Sequence, residues 1–123
     1  MKNKSEVRDR ITRLFDSQNL AVLSTHSAGQ PYASLVAFYA DDDLRSLYFV
    51  TPRSTRKYEN IESDARVALL VNNSTNQADD FHEAIAVTLL GTASDVPADQ
   101  RPAILEKYLA RHPHLEEFAR SPS

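Results

Sequence analysis

Only two glycines, Gly29 and Gly91, occur among the 123 residues of this chain. That scarcity rules out the Gly-rich loops that open a dinucleotide-binding βαβ unit or a P-loop, because both need several glycines at fixed spacing. Any phosphate must therefore be held by side chains and by the start of a helix. The same shortage excludes a nucleophile elbow, and no Ser-His-Asp system is supported.

The apolar runs are short and closely spaced. Val7, Ile11, Leu14 and Phe15 recur at helical spacing, which predicts an amphipathic helix near residues 4–17. Leu20 to Thr25 and Tyr32 to Tyr39 read as strands, joined by the hairpin connection His26-Ser-Ala-Gly-Gln-Pro31 with Gly29 free to take a positive φ. Asp41-Asp-Asp43 is a polar turn before a third strand over Leu47 to Val50. A short helix over Tyr58 to Ser63 precedes a fourth strand, Arg66 to Asn72. A polar loop, Asn73 to Glu83, leads into a long strand from about Ala84 to Ser94, with Gly91 expected at a bulge. Pro97 opens a helical segment carrying Ile104, Leu105, Tyr108 and Leu109, which His112-Pro113 breaks. A last turn carries Leu115 and Phe118.

Strands joined mostly by short links, with few helices, predict a mainly β, α+β architecture: an antiparallel sheet closing as a small barrel. Tyr32 to Tyr39 and Ala84 to Leu90 are apolar on both faces. The barrel interior uses one face, so the other needs cover that so few helices cannot supply. Self-association as a two-fold dimer is the economical solution.

Composition narrows the function. A net charge of −3 lacks the broad basic field that nucleic acid requires, and the absence of cysteine excludes disulfides and thiolate chemistry. No run reaches membrane-spanning length, and Met1-Lys-Asn-Lys-Ser-Glu6 lacks the apolar core of a signal peptide, so a cytoplasmic location is expected. Asp79, Asp80, His82 and Glu83 read as a solvated loop without Ca²⁺-loop spacing. His112-Pro-His114 reads as a solvated helix break rather than a ligand pair.

The stretch Thr51-Pro-Arg-Ser-Thr-Arg-Lys57 stands out chemically. Ser54 or Thr55 is a natural N-cap, which puts Arg56 and Lys57 in the first helical turn, where the helix dipole opposes cations. Hydroxyls, a guanidinium, an ammonium and unpaired amides together describe a clamp for an anion, with phosphate the natural fit.

The order of strands, the Thr-x-x-x-Thr-Arg-Lys helix start and the following Asp64-x-Arg-Val67 strand resemble the pyridoxamine 5′-phosphate oxidase-like family of FMN-binding split barrels, over about Leu20 to Asp95. The segment Tyr108-Leu-Ala-Arg-His-Pro113 resembles the haem-utilisation branch. The resemblance implies FMN at a homodimer interface, its phosphate gripped by Arg56 and Lys57 with Ser54 or Thr55 helping. It implies that Val50 and Thr51 touch the ring system or ribityl chain, and that Ser34, Leu35 and Val36 line the flavin. The oxidases themselves carry an arginine where this chain has Ser34 and a lysine where it has Tyr39, and their C-terminal substrate residues have no counterpart here. Their own reaction is therefore not expected. Related proteins usually add a strand after the last helix, so the barrel is expected either to close with fewer strands or to lack a C-terminal segment. The implied activity is flavin-dependent oxidation or reduction of a small molecule. The alternatives are the deazaflavin F420 as cofactor, a haem-binding or haem-degrading protein, and a non-catalytic flavin-binding module.

Overall fold

The computed structural model describes residues 3–79 and 84–121. Helix α1 (Lys4–Ser17) starts at Asn3, whose side chain accepts from the Glu6 amide at 2.8 Å. Strands β1 (Leu20–Ser27) and β2 (Gln30–Ala37) form a hairpin. Its two-residue loop needs positive φ at both positions, and Ala28 (51°) and Gly29 (80°) supply it. Two-residue strands β3 (Tyr39–Ala40) and β4 (Leu47–Tyr48) follow, then α2 (Arg56–Ser63), β5 (Arg66–Asn72) and β6 (Ala86–Thr92). Helix α3 (Arg101–Arg111), a 3₁₀ turn (Pro113–Leu115) and α4 (Glu116–Ala119) complete the elements.

Among the described residues the strands make two antiparallel ladders. One is a four-stranded sheet in the order β2-β1-β5-β6, the other is the β3–β4 pair. The barrel is thus split. Phe38 explains where it splits: its side chain is buried and meets Phe15 edge-on at 5.8 Å, so the chain turns inward between β2 and β3.

Cross-strand partners share a face. Ala21, Leu23, Val36 and Val71 point inward and pack with Leu14, Phe15 and Phe38 as the core. The opposite face carries Val22, paired with both Leu35 and Leu70, and Leu90, paired with Ala68. Leu35 is 65% exposed and Leu90 83%, so this outer face is apolar and uncovered in the single chain.

Three expectations need correction. Gly91 makes no bulge, since the β5–β6 register runs unbroken from Arg66↔Thr92 to Asn72↔Ala86. Helix α3 begins at Arg101 rather than Pro97, because Pro97 instead opens a turn whose carbonyl accepts from the amides of Gln100 and Arg101. His112 is not solvated but fully buried, its Nε2 2.7 Å from the Phe38 carbonyl oxygen and its ring 4.9 Å from that of Tyr108. The break in the helix is a docking point. Beside it, Arg111 Nη2 donates to the carbonyls of Phe15, Asp16 and Gln18 at 2.6, 2.8 and 2.7 Å, satisfying acceptors that the end of α1 leaves open.

Candidate anion site at the start of helix α2

The chain leaves β4 through Phe49, which packs on the core, and turns at Arg53 and Ser54, where the Thr55 amide donates to the Pro52 carbonyl at 3.3 Å. Thr55 is the N-cap: its backbone is extended and its hydroxyl accepts from the Tyr58 amide at 3.3 Å. The same hydroxyl donates to the Pro52 carbonyl at 2.9 Å and lies 2.8 Å from the Thr51 hydroxyl. Both threonines are thereby spent on shaping the turn, and Ser54, exposed and outside this network, is the hydroxyl left to face a ligand. The cap uses the third amide of the helix, and the Thr55 carbonyl takes the Glu59 amide. The amides of Arg56 and Lys57 are the first-turn donors that helix and cap leave over.

Arg56 lies with its guanidinium 5.7 Å from the centre of the Tyr32 ring. Together they wall a cleft of about 340 Å³, completed by Ser27, Gln30, Glu59 and Asn60. Period-2 alternation puts Tyr32 on the same face of β2 as Ser34, and helical spacing puts Glu59 and Asn60 on the same face of α2 as Arg56. Asn60, buried, ties that face to the sheet through a 3.0 Å bond from its Nδ2 to the Thr25 hydroxyl. A cation resting on an exposed aromatic ring gains about 0.5–1 kcal/mol, whereas a charge-assisted hydrogen bond gains about 1.5–3 kcal/mol. A charge-assisted contact to an anion would therefore outweigh the ring contact at Arg56. Lys57 is half-buried and makes no ion pair among the described residues.

The sequence-derived residues divide into three groups. Thr51, Ser54, Thr55, Arg56 and Lys57 are contiguous at the helix start. Val50 precedes them in the chain; the buried Tyr108 hydroxyl donates to the Ala37 carbonyl at 3.3 Å, and burial pushes this phenol above its ordinary value. On β2, Val36 is in the core and Ser34 shares its face, while Leu35 points to the outer face. Side chains of all three cannot line one surface. The Ser34 hydroxyl is buried without a hydrogen-bond partner, an orphan that a ligand or a water would satisfy. At the oxidases' second cationic position, Tyr39 instead stacks on Tyr48, ring centres 6.1 Å apart. The residues present fit a phosphate: one guanidinium, one ammonium, two free amides and a free hydroxyl. Ser27, Gln30, Tyr32, Glu59 and Asn60 were missed from sequence, although the two periodicities that place them were readable.

At the other end of α2, the C-cap residue Asp64 accepts from Arg66 at 2.7 Å and lies 3.1 Å from His26 Nε2. The Arg66 hydrogen bonds, from side chain and backbone, hold the Asp64 carboxyl well below the usual carboxylate range. A carboxyl lowered in the folded state stabilises it above the unfolded value and loses that contribution as pH falls through the range below about 3.9. Asp64→Asn should therefore flatten the loss of stability on acidification, measured by thermal melts at successive pH values. A variant whose acid sensitivity matches the parent would refute this assignment. Asp41 to Asp43 form a turn, with Tyr48 donating to Asp41 at 3.1 Å, and no metal-binding cluster occurs among the described residues. Asp80, His82 and Glu83 lie outside them.

Two ladders flanked by helices define an α+β split barrel, with the candidate anion site at one helix start. The chain belongs to the pyridoxamine 5′-phosphate oxidase family, whose model matches residues 7–123. Its fold is similar to that of a protein of unknown function from Agrobacterium tumefaciens, 23% identical, with a TM-score of 0.81 over 99% of this chain and 52% of that one. It is also similar to the haem storage protein HutZ from Vibrio cholerae, 15% identical, TM-score 0.78, over 99% and 84% of the two chains. A FAD-binding protein from Mesorhizobium loti is 16% identical, TM-score 0.69, over 93% and 78%. The chain spans about half the length of the Agrobacterium protein. No functionally curated sequence matches it. No helix among the described residues is long and apolar enough to cross a membrane.

Proposed function

We propose that this protein binds a flavin nucleotide through its phosphate at the start of α2, FMN being the smallest such ligand, and uses it to oxidise or reduce a small molecule. The observation that carries the reading is the pairing of Arg56 and Lys57 with two free first-turn amides beside the Tyr32 cleft. Family membership and the FAD-binding neighbour support it. A bound flavin supplies the hydride or electron chemistry, and the chain supplies binding, orientation and exclusion of water. Arg56, Lys57 and Ser54 hold the phosphate, and Thr51 and Thr55 keep the turn in shape. No residue is assigned as a catalytic acid or base.

The outer face with Leu35 and Leu90 is the proposed homodimer surface. The haem reading rests on the HutZ-like fold. Against it, the described imidazoles are poorly placed: His26 is tied to Asp64, His112 is buried and exposed His114 lies outside the cleft. The freshly purified protein should be yellow, with the two-band flavin spectrum, and should sediment as a dimer. A Soret band in its place would transfer the site to haem, and a single deazaflavin band to F420. A flavin-loaded protein that passes no electrons from reduced nicotinamides to any acceptor would be a binding module.

A further inference from the structure

Strand β6 ends the four-stranded sheet, so one side of it has no partner strand among the described residues. The Asn73 amide donates to the Ile85 carbonyl at 3.1 Å and the Ala93 amide to the Ala65 carbonyl at 2.8 Å. Antiparallel ladders alternate, so the odd-numbered residues of β6 bond to β5, and the backbone groups of Ala86, Thr88, Leu90 and Thr92 face the open side. Folded chains blunt such an edge with charge, proline or a bulge, and Ala86–Thr92 carries none of these. Beside the same edge lies an apolar groove of about 180 Å³, walled by Ile85 and Val87 at the N-terminal end of β6 and by Val7, Ile11 and Arg10 from α1. It is smaller than the roughly 300–1,000 Å³ of small-molecule pockets and matches a short row of side chains. Arg10 is its charged wall, half-buried and in no ion pair among the described residues.

We infer that this edge and groove dock an extended peptide segment of another protein, which adds to β6 as a further strand. Its backbone pairs with the outward groups of Ala86, Thr88, Leu90 and Thr92, and period-2 alternation sends every second side chain toward the groove. Those side chains are apolar, to match Val7, Ile11, Ile85 and Val87, and one carboxylate among them meets Arg10. A second copy of this chain fits less well. Its β6 would bring a packed core to the side where α1 stands, whereas a lone segment brings only a row of side chains. The inference is independent of the flavin reading, since α1 and β6 supply no residue to the anion site at α2.

The probe is the peptide Thr-Val-Thr-Val-Thr-Glu-Thr, amidated and labelled with fluorescein at its N-terminus, titrated with the purified full chain and followed by anisotropy. Changing the peptide's Glu to Lys should weaken binding about tenfold or more, and Arg10→Glu should restore affinity for that Lys peptide. Thr88→Pro removes an edge-facing amide without taking a bond from the β5 ladder, and should weaken the Glu peptide by a comparable factor. A fully N-methylated peptide, which has no amide donors, should not bind. Arg10→Glu, on the helix, carries the test if the strand variant does not fold. No binding up to about 1 mM peptide overturns the docking site. Equal binding of the Glu peptide by Arg10→Glu, or of the N-methylated peptide by the parent, overturns it too. So does a Thr88→Pro protein that falls from dimer to monomer, because the edge then belongs to a second copy.

Discussion

Replacing Arg56 and Lys57 together by alanine should lower flavin affinity by two to four powers of ten, from two lost charge-assisted contacts of about 1.5–3 kcal/mol each. Neither side chain holds the fold. Arg56 is exposed and rests on Tyr32, and Lys57 makes no ion pair among the described residues. Both oppose the positive end of the α2 dipole, at about 0.3–1 kcal/mol each when exposed. Their removal offsets the lost ring contact, so the melting temperature should hold or rise slightly while binding collapses. That opposition of stability and affinity is the signature of a site. Flavin affinity within threefold of the parent, measured by fluorescence quenching, would place the phosphate elsewhere.

Much of this arrangement was legible because it is local. The N-cap, the cations of the first turn and the hairpin with Gly29 depend on residues within a few positions of one another. The apolar outer face was legible as well, since Leu35 and Leu90 lie on strands with apolar residues on both sides. What escaped was set by contacts between distant segments. Nothing near Tyr32 in sequence announces that α2 packs across the end of β1, which is what brings Glu59 and Asn60 opposite it. The inward turn at Phe38, which shortens β2 and creates the split, depends on Phe15 more than twenty residues earlier. Gly91 was misread for a related reason. A glycine in a strand suggests a bulge, but here it stands in open space beside a regular ladder and needs no special geometry.

His112 is the largest case of a distant contact hidden from local reading, and it carries the second strong prediction. A histidine before a proline at a helix end reads as solvated, yet this one is sealed under α3 with its Nε2 on the Phe38 carbonyl. A carbonyl only accepts, so Nε2 carries the proton and Nδ1 is left as a buried acceptor with no partner. His112→Ala would strip the donor from the Phe38 carbonyl, at about 1–3 kcal/mol, and leave a cavity between α3 and the chain at the split. The combined loss should be roughly 3–5 kcal/mol, a large fraction of the stability of a domain this size. His112→Phe separates the two contributions: it keeps the ring, loses the hydrogen bond and removes the orphan Nδ1, so its cost should be clearly smaller. His114→Ala, two residues on and exposed, should stay within about 0.5 kcal/mol. Urea melts of the three variants measure this order directly. If His112→Ala unfolds at the same urea concentration as His114→Ala, the C-terminal helices do not dock through His112.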